Sequence, residues 1–299
     1  MNLSDTVLTL QDAVDVLKTQ GIVTVEGVFS PEEMAEFRTH LDRTIEEASR
    51  VATYKGRPTD KLLGKSGDTV WLLWELYAVC EGGLRFSRHP AIVRVLERAL
   101  GEPVRHASIG TMFDKVAGGD AEIGWHQDTF FIVDPPDDGD TDLTGYWTQF
   151  GHVHVRPGDI EWKEDYFRKT IIVRINVDPQ TIENGAMKVL PGSYLEGPLE
   201  LAAVEDGQGG PGGLADYVAS HEHEAIDCTA GEGSVTFYYP TMLHSSEVST
   251  APPGEHRRAA AHRVRAESLE IPGWKWPVDW PEGAERIRPE SGFDLDPFA

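Results

Sequence analysis

The sequence predicts a mainly β fold with flanking helices, built around a jelly-roll core. Beyond about residue 103 the chain breaks into seven or eight short, β-branched stretches separated by turn residues, as in an antiparallel double-sheet sandwich. The first hundred residues carry helical periodicity instead. No repeat or linker divides the chain, so residues 1-299 are expected to form a single domain. Its parts are a mainly helical N-terminal layer at 1-102, the jelly-roll core at 103-268 and a Trp/Pro-rich tail at 269-299.

Leu10, Ala13, Val14 and Leu17 repeat at helical spacing, and Gly21 follows as a stop signal. The β-branched GIVTVEGVF then reads as a strand. Ser30, Pro31 and Glu33 open a helix as N-cap, first-turn proline and capping-box acid, and that helix extends to about Ser49. Residues 90–100 form a further helix, ended by Gly101. The expected strands are PVRHASIGTMF, the region of WHQDTFFIV, TIIVRINVD, AMKVL, EAIDC, GSVTFYY and RRAAAHRVR. Residues 134–169 form a long insertion, and 204–218 are rich in Gly, Asp and Pro; long loops of this kind are often lids or binding segments. Trp274, Trp276 and Trp280 in the tail are expected to pack over the sandwich, with substrate binding as the alternative.

Fifty acidic against 27 basic residues give a net charge of -23. Phosphate binding needs a basic face, so nucleic acid is disfavoured as a partner, and so are anionic membranes. Cys80 and Cys228 are far apart and outside any CxxC pattern, which argues against a disulfide framework or a thiolate zinc site. The N-terminus lacks a basic start and apolar run, and no stretch approaches about 18 apolar residues. A cytoplasmic location is the expectation.

The informative segment is Gly124-Trp125-His126-Gln127-Asp128. Strand residues two apart share a face, so His126 and Asp128 can grip one metal while Gln127 points away. Two histidines and one carboxylate suit Fe(II) and leave coordination positions open. His244 lies downstream, after GSVTFYY, and is followed by Ser246 and by Arg257-Arg258-Ala259 at the start of another strand. A co-substrate with a terminal carboxylate needs a fixed cation, and arginine offers a planar fork that does not deprotonate.

In these motifs the chain resembles the phytanoyl-CoA dioxygenase family of Fe(II)/2-oxoglutarate oxygenases. The family's H-x-D matches His126 and Asp128, its distal histidine His244, the serine two residues later Ser246, and its 2-oxoglutarate arginine Arg257. Glu183-Asn184-Gly185 with Pro191-Gly192-Ser193 resembles its E-N-G…P-G-S-H segment, with Tyr194 in place of histidine. GIVTVEGVFSPEEMAEFR resembles its opening strand and helix, and the match spans roughly residues 20–265. The resemblance implies a double-stranded β-helix (jelly roll/cupin-like) core, Fe(II) as cofactor, and 2-oxoglutarate and O2 as co-substrates. It also implies oxidation of a small-molecule substrate, usually hydroxylation, with release of succinate and CO2. Halogenases of this type replace the carboxylate ligand with a small residue; Asp128 is present here.

Several positions stay open. Arg257 and Arg258 compete for the co-substrate carboxylate, because neighbouring strand residues face opposite sides. Lys115 is a further candidate for that carboxylate, with solvent as its alternative. Arg174 and Asn176 share a strand face and either line the active site or meet water. Phe130, Phe131, Trp147 and Trp162 are candidates for an apolar pocket or for core. His152 and His154 have strand spacing but no glutamate close by, so His154 is read as near substrate rather than as a second metal ligand. His221 and His223 read as an exposed edge. A zinc hydrolase with the same three ligands and a non-catalytic small-molecule binding module are the competing functions. The zinc hydrolase has no use for Arg257 or Ser246, and the binding module is the reading that loss of a metal ligand would support, whereas all three ligands are intact.

Overall fold

The computed structural model describes residues 9–67, 69–119, 121–136, 141–161, 163, 165–199, 213–277 and 285–298. Helix Leu10–Gln20 begins at Thr9, whose hydroxyl accepts from the Asp12 N–H while Asp12 accepts from the Thr9 N–H. Helix Pro31–Ser49 begins with the expected reciprocal box between Ser30 and Glu33. Helix Pro90–Leu100 ends at Gly101. The two N-terminal caps satisfy backbone N–H groups that a helix start leaves without partners, and at the helix end the Gly101 N–H donates to the Glu97 carbonyl.

The apolar stripes of these helices, including Leu17, Phe37, Leu41 and Ile92, cover one face of the main sheet. Phe37 stacks on Phe86 at 4.2 Å. Among the described residues that sheet has eight strands, all paired antiparallel. The spatial order is Ile22–Val25, Val235–Tyr238, Thr170–Asn176, His256–Ala266, Thr111–Val116, Thr69–Leu73 and Leu63–Ser66. Val104–His106 pairs with the far end of His256–Ala266. Side-chain alternation then divides the roles. Ile171, Val173, Ile175 and Val177 join the core beneath the helices, while Ile172, Arg174 and Asn176 take the other face.

That second face meets a four-stranded sheet ordered Ile226–Cys228, Met187–Val189, His244–Ser246, Ile123–His126. The result is the mainly β jelly-roll architecture expected from the sequence, with residues of both sheets lining one cavity. Beyond the strand expected in GIVTVEGVF, the N-terminal layer also contributes the Leu63–Ser66 and Thr69–Leu73 hairpin, which extends the main sheet; its polar first strand hides the signal. Two expectations need correction. The 134–169 insertion is not simply a loop: Trp147–Gln149 pairs with His152–Val155, which in turn pairs with Phe131–Val133, making a small sheet at the cavity. His221 and His223 lie in a helix, Leu214–His221, and in the turn after it rather than on a strand edge; His223 is exposed.

Phe131 is core in the small sheet, stacked on Phe167 at 5.0 Å, and Trp274 and Trp276 pack there from the tail. Trp162, Trp280 and residues 204–212 of the Gly-rich loop lie outside the described residues. Both cysteines are free. No described helix is long and apolar enough to cross a membrane.

Gly185 of the E-N-G segment has φ +75°, and a Cβ there would sit 2.5 Å from the Glu247 carbonyl oxygen. The left-handed backbone alone costs a side-chain-bearing residue about 1–2 kcal/mol. Gly185→Ala is therefore expected to lower stability by about 2–3 kcal/mol. Thermal unfolding followed by circular dichroism checks this, and an unchanged Tm would refute the close approach.

Candidate metal centre

His126 ends strand Ile123–His126, and His244 begins the strand paired with it, so the two histidines stand directly opposite each other. Opposed residues on antiparallel strands bring their side chains within about 5 Å, and here the imidazole centroids are 4.1 Å apart. The strand stops at His126. Asp128 reaches the same point from the following extended segment, where its N–H donates to the Pro240 carbonyl at 2.9 Å. One ligand atom from each of His126, Asp128 and His244 lies within 4.8 Å of the others, and the His244 Nε2 to Asp128 Oδ2 distance is 3.7 Å.

The rings are aimed by their backbone. His126 Nδ1 donates to the Gly124 carbonyl at 2.8 Å, and His244 Nδ1 donates to the Met242 carbonyl at 3.0 Å. A carbonyl only accepts, so each Nδ1 carries the proton and each Nε2 is left with a lone pair. Burial, reinforced by His126, pushes His244 down to about 4, leaving it neutral near pH 7 as a metal ligand must be. Burial alone would raise the Asp128 carboxyl, but His244, His126 and Arg263 outweigh it and hold the group below its usual range. Gln127 points away, as its place between the two ligands requires. Its amide donates to the Gly197 and Thr241 carbonyls and accepts from the Leu199 N–H, tying the ligand segment to two loops.

Around the triad lies a cavity of about 400 Å³. Phe130, Trp147, His154, Arg174 and Ser246 line it, together with Tyr238 and Arg263. Arg174 and Asn176 therefore do not face water. Arg174 donates to Asn176 Oδ1 at 3.2 Å and to Gln180 Oε1 at 2.8 Å. Lys115 is not a solvated lysine either: its ammonium is buried and donates to the Ser246 and Glu247 carbonyls. Burial first, then Arg257 and Arg174, push it down to about 7.

Strand alternation separates the two candidate arginines. Arg258 turns toward the helices and pairs with Asp178 at 2.8 Å and Asp42 at 2.9 Å. Arg257 lies opposite Lys115 on the face that also carries Ala261 and Arg263. It is 1% exposed, and its Nε and Nη2 have no hydrogen-bond partner. Burial, then Arg174, lower its affinity for the proton. His152 is engaged with Asp134 at 2.7 Å, and the three residues of the triad are the one metal-competent group found among the described residues.

Arg263, Tyr238, Trp71 and Trp74 line the cavity without having been singled out in the sequence. For Arg263 a signal existed, since it stands six residues after Arg257 on one strand and so on the same face.

The fold and triad define a jelly-roll protein with a two-histidine, one-carboxylate centre. Residues 17–253 match the model of the phytanoyl-CoA dioxygenase (PhyH) family. The chain belongs to that family, whose activity class is a dioxygenase-type oxidoreductase. The matched span contains His126, Asp128, His244 and Ser246 and ends before Arg257.

Among solved structures, the iron-bound EctD of S. alaskensis is similar with TM-score 0.62 and 16% identity, over 98% of this chain and 90% of that one. SnoK, a non-haem α-ketoglutarate-dependent carbocyclase from nogalamycin biosynthesis, gives 0.59 and 18%, over 95% and 96%. AviO1 from Streptomyces viridochromogenes gives 0.59 and 15%, over 90% and 100%. At these identities the likeness concerns the fold. Sequence comparison with curated proteins gives no match.

Removing the single carboxylate of the triad leaves two neutral imidazoles to hold a dication. Asp128→Ala is expected to weaken Fe(II) binding by more than the roughly 10–100-fold typical of losing an outer partner of a metal site. Anaerobic Fe(II) titration measures this, and near-wild-type affinity would remove Asp128 from the ligand set.

Proposed function

We propose that this chain is an Fe(II)- and 2-oxoglutarate-dependent dioxygenase. Its prime substrate is a small molecule, hydroxylated with release of succinate and CO2. His126, Asp128 and His244 hold the iron, and their N,N,O donor set fits Fe(II) while leaving positions for co-substrate and oxygen. When bound, iron with 2-oxoglutarate supplies the oxidising power for attack on an unactivated C–H bond.

The observation that carries the reading is Arg257: a buried guanidinium with two unpartnered N–H groups on the interior strand face. An uncompensated buried cation costs several kcal/mol, and a carboxylate held in a charge-assisted fork offsets that cost. The distal carboxylate of 2-oxoglutarate is such a partner. Ser246 lies on the same strand face as His244 and is placed to donate its hydroxyl to the co-substrate. Lys115, with its ammonium already committed to the Ser246 and Glu247 carbonyls, acts by fixing that strand and by adding positive potential beside Arg257. Arg174 forms a polar part of the cavity lining, held from behind by the buried Asn176, and Phe130 and His154 form part of its aromatic wall. One related structure is of EctD with 2-oxoglutarate and 5-hydroxyectoine.

A zinc hydrolase or a passive binding module leaves Arg257 without a role. The retained Asp128 argues against halogenation, which needs that coordination position for chloride. The free cysteines and the net charge of -23 support a cytoplasmic protein that acts on neither nucleic acid nor membrane.

Anaerobic addition of 2-oxoglutarate to the Fe(II)-loaded protein is expected to produce the weak visible charge-transfer band of the chelate, with succinate forming once O2 is admitted. Fe(II) binding without the band would overturn the co-substrate assignment. Arg257→Ala is expected to raise the apparent KM for 2-oxoglutarate by at least about tenfold, the loss of one charge-assisted pair. An unchanged KM would remove Arg257 from that role.

A further inference from the structure

Among the described residues, two side chains have two buried, unpartnered polar atoms each: Arg257, and Arg263 on the same strand. Arg263 lacks a partner at Nε and Nη1. Its Nη2 donates to the Asp128 backbone carbonyl at 2.7 Å, and its guanidinium carbon lies 4.1 Å from the centre of the Phe130 ring. No carboxylate of the described residues pairs with it. The two arginines are six residues apart, a separation of about 20 Å along a strand, and on the same face. Only small side chains, Ala259 and Ala261, stand between them on that face. Arg257 is accounted for by the co-substrate. Arg263, at the other end and among the cavity-lining residues, feels the Asp128 carboxylate at a distance but is left with two N–H groups that no anion accepts from.

A second buried polar atom without a partner stands in the same wall. His154 Nδ1 is buried without a partner, and its ring lies 3.8 Å from Trp147 and 5.1 Å from Phe130, centre to centre. Burial, then Arg263, hold the imidazole neutral, down to about 4, so it offers a hydrogen bond rather than a second charge. The wall near these groups is mixed: Trp71, Trp74, Ile132 and Trp147 supply apolar and aromatic surface, while Ser108, Gln149 and Glu75, the last paired with Arg57, add polar atoms.

We propose that Arg263 is the specificity-determining residue for the prime substrate, binding a free carboxylate on a ring-bearing or otherwise apolar small molecule, with His154 as the second donor. The inference rests on the cavity being the substrate site of the proposed oxygenase. It narrows the substrate class, because an acid esterified to a carrier through that carboxyl presents no anion to Arg263. The neutral carbonyl of such an ester offers the guanidinium no charge to pair with.

The test is calorimetric titration of the Fe(II)-loaded full chain, held anaerobic with saturating 2-oxoglutarate. The probes are 3-phenylpropionate, 4-phenylbutyrate and their neutral amides. Each acid is expected to bind at least about tenfold more tightly than its amide, as a charge-assisted pair requires. That preference should vanish in Arg263→Gln and survive in part in Arg263→Lys. Equal affinities for acid and amide, absence of binding by both acids, or a preference that persists in Arg263→Gln would each overturn the proposal. Arg257→Gln without 2-oxoglutarate separates the two anion sites. The preference should survive there, and its loss would place the acids in the co-substrate pocket and overturn the proposal. Should Arg263→Gln fail to fold, the wild-type comparison and Arg263→Lys still decide. Because Arg257→Gln is titrated without co-substrate, failure of 2-oxoglutarate to bind would sink the oxygenase reading and leave this preference readable.

Discussion

The pairing of His126 opposite His244 is the constraint on which the site depends. It is a register fact: one residue of slip between Ile123–His126 and His244–Ser246 would send one imidazole to the far side of the sheet. With the register set, the carbonyls of Gly124 and Met242 fix which nitrogen of each ring carries the proton and turn both Nε2 lone pairs to one point. Asp128 needs no strand of its own. The Pro240 and Arg263 hydrogen bonds to its backbone and the Gln127 anchors on either side hold the segment in place.

The interior charge runs opposite to the charge of the whole. A chain of net charge -23 concentrates Arg174, Arg257, Arg263 and Lys115 in and beneath one cavity. Burial of cations in this density is costly and raises no stability by itself. It makes sense as preorganisation for anions, since fixed donors in a low-dielectric site act on a ligand more strongly than the same groups in water. Arg258 is the contrast. One residue along the same strand, it faces the helix layer and is neutralised by Asp178 and Asp42, so it has no donor capacity to offer a ligand.

The scaffold separates stability from chemistry by strand parity. Even and odd positions of Thr170–Asn176 and His256–Ala266 divide between the helix-covered core and the cavity. The insertion adds a third element. Its small sheet, packed on Phe167 and the tail tryptophans, carries Trp147 and His154 to the cavity wall, so the part of the chain that looked least structured helps to shape the cavity.

The sequence by itself determined the helix caps at Ser30 and Gly101, the alternation of the major strands and the identity of the triad. All of these are written in local spacing or in short motifs with a chemical reason. Tertiary structure decided what depends on which face of a strand meets which layer. It separated Arg257 from Arg258, buried Lys115, turned Arg174 and Asn176 inward and left two N–H groups of Arg263 without an acceptor. Local spacing records that two residues share a face. Which face is inside is set by the packing of sheets and helices brought together from distant parts of the chain.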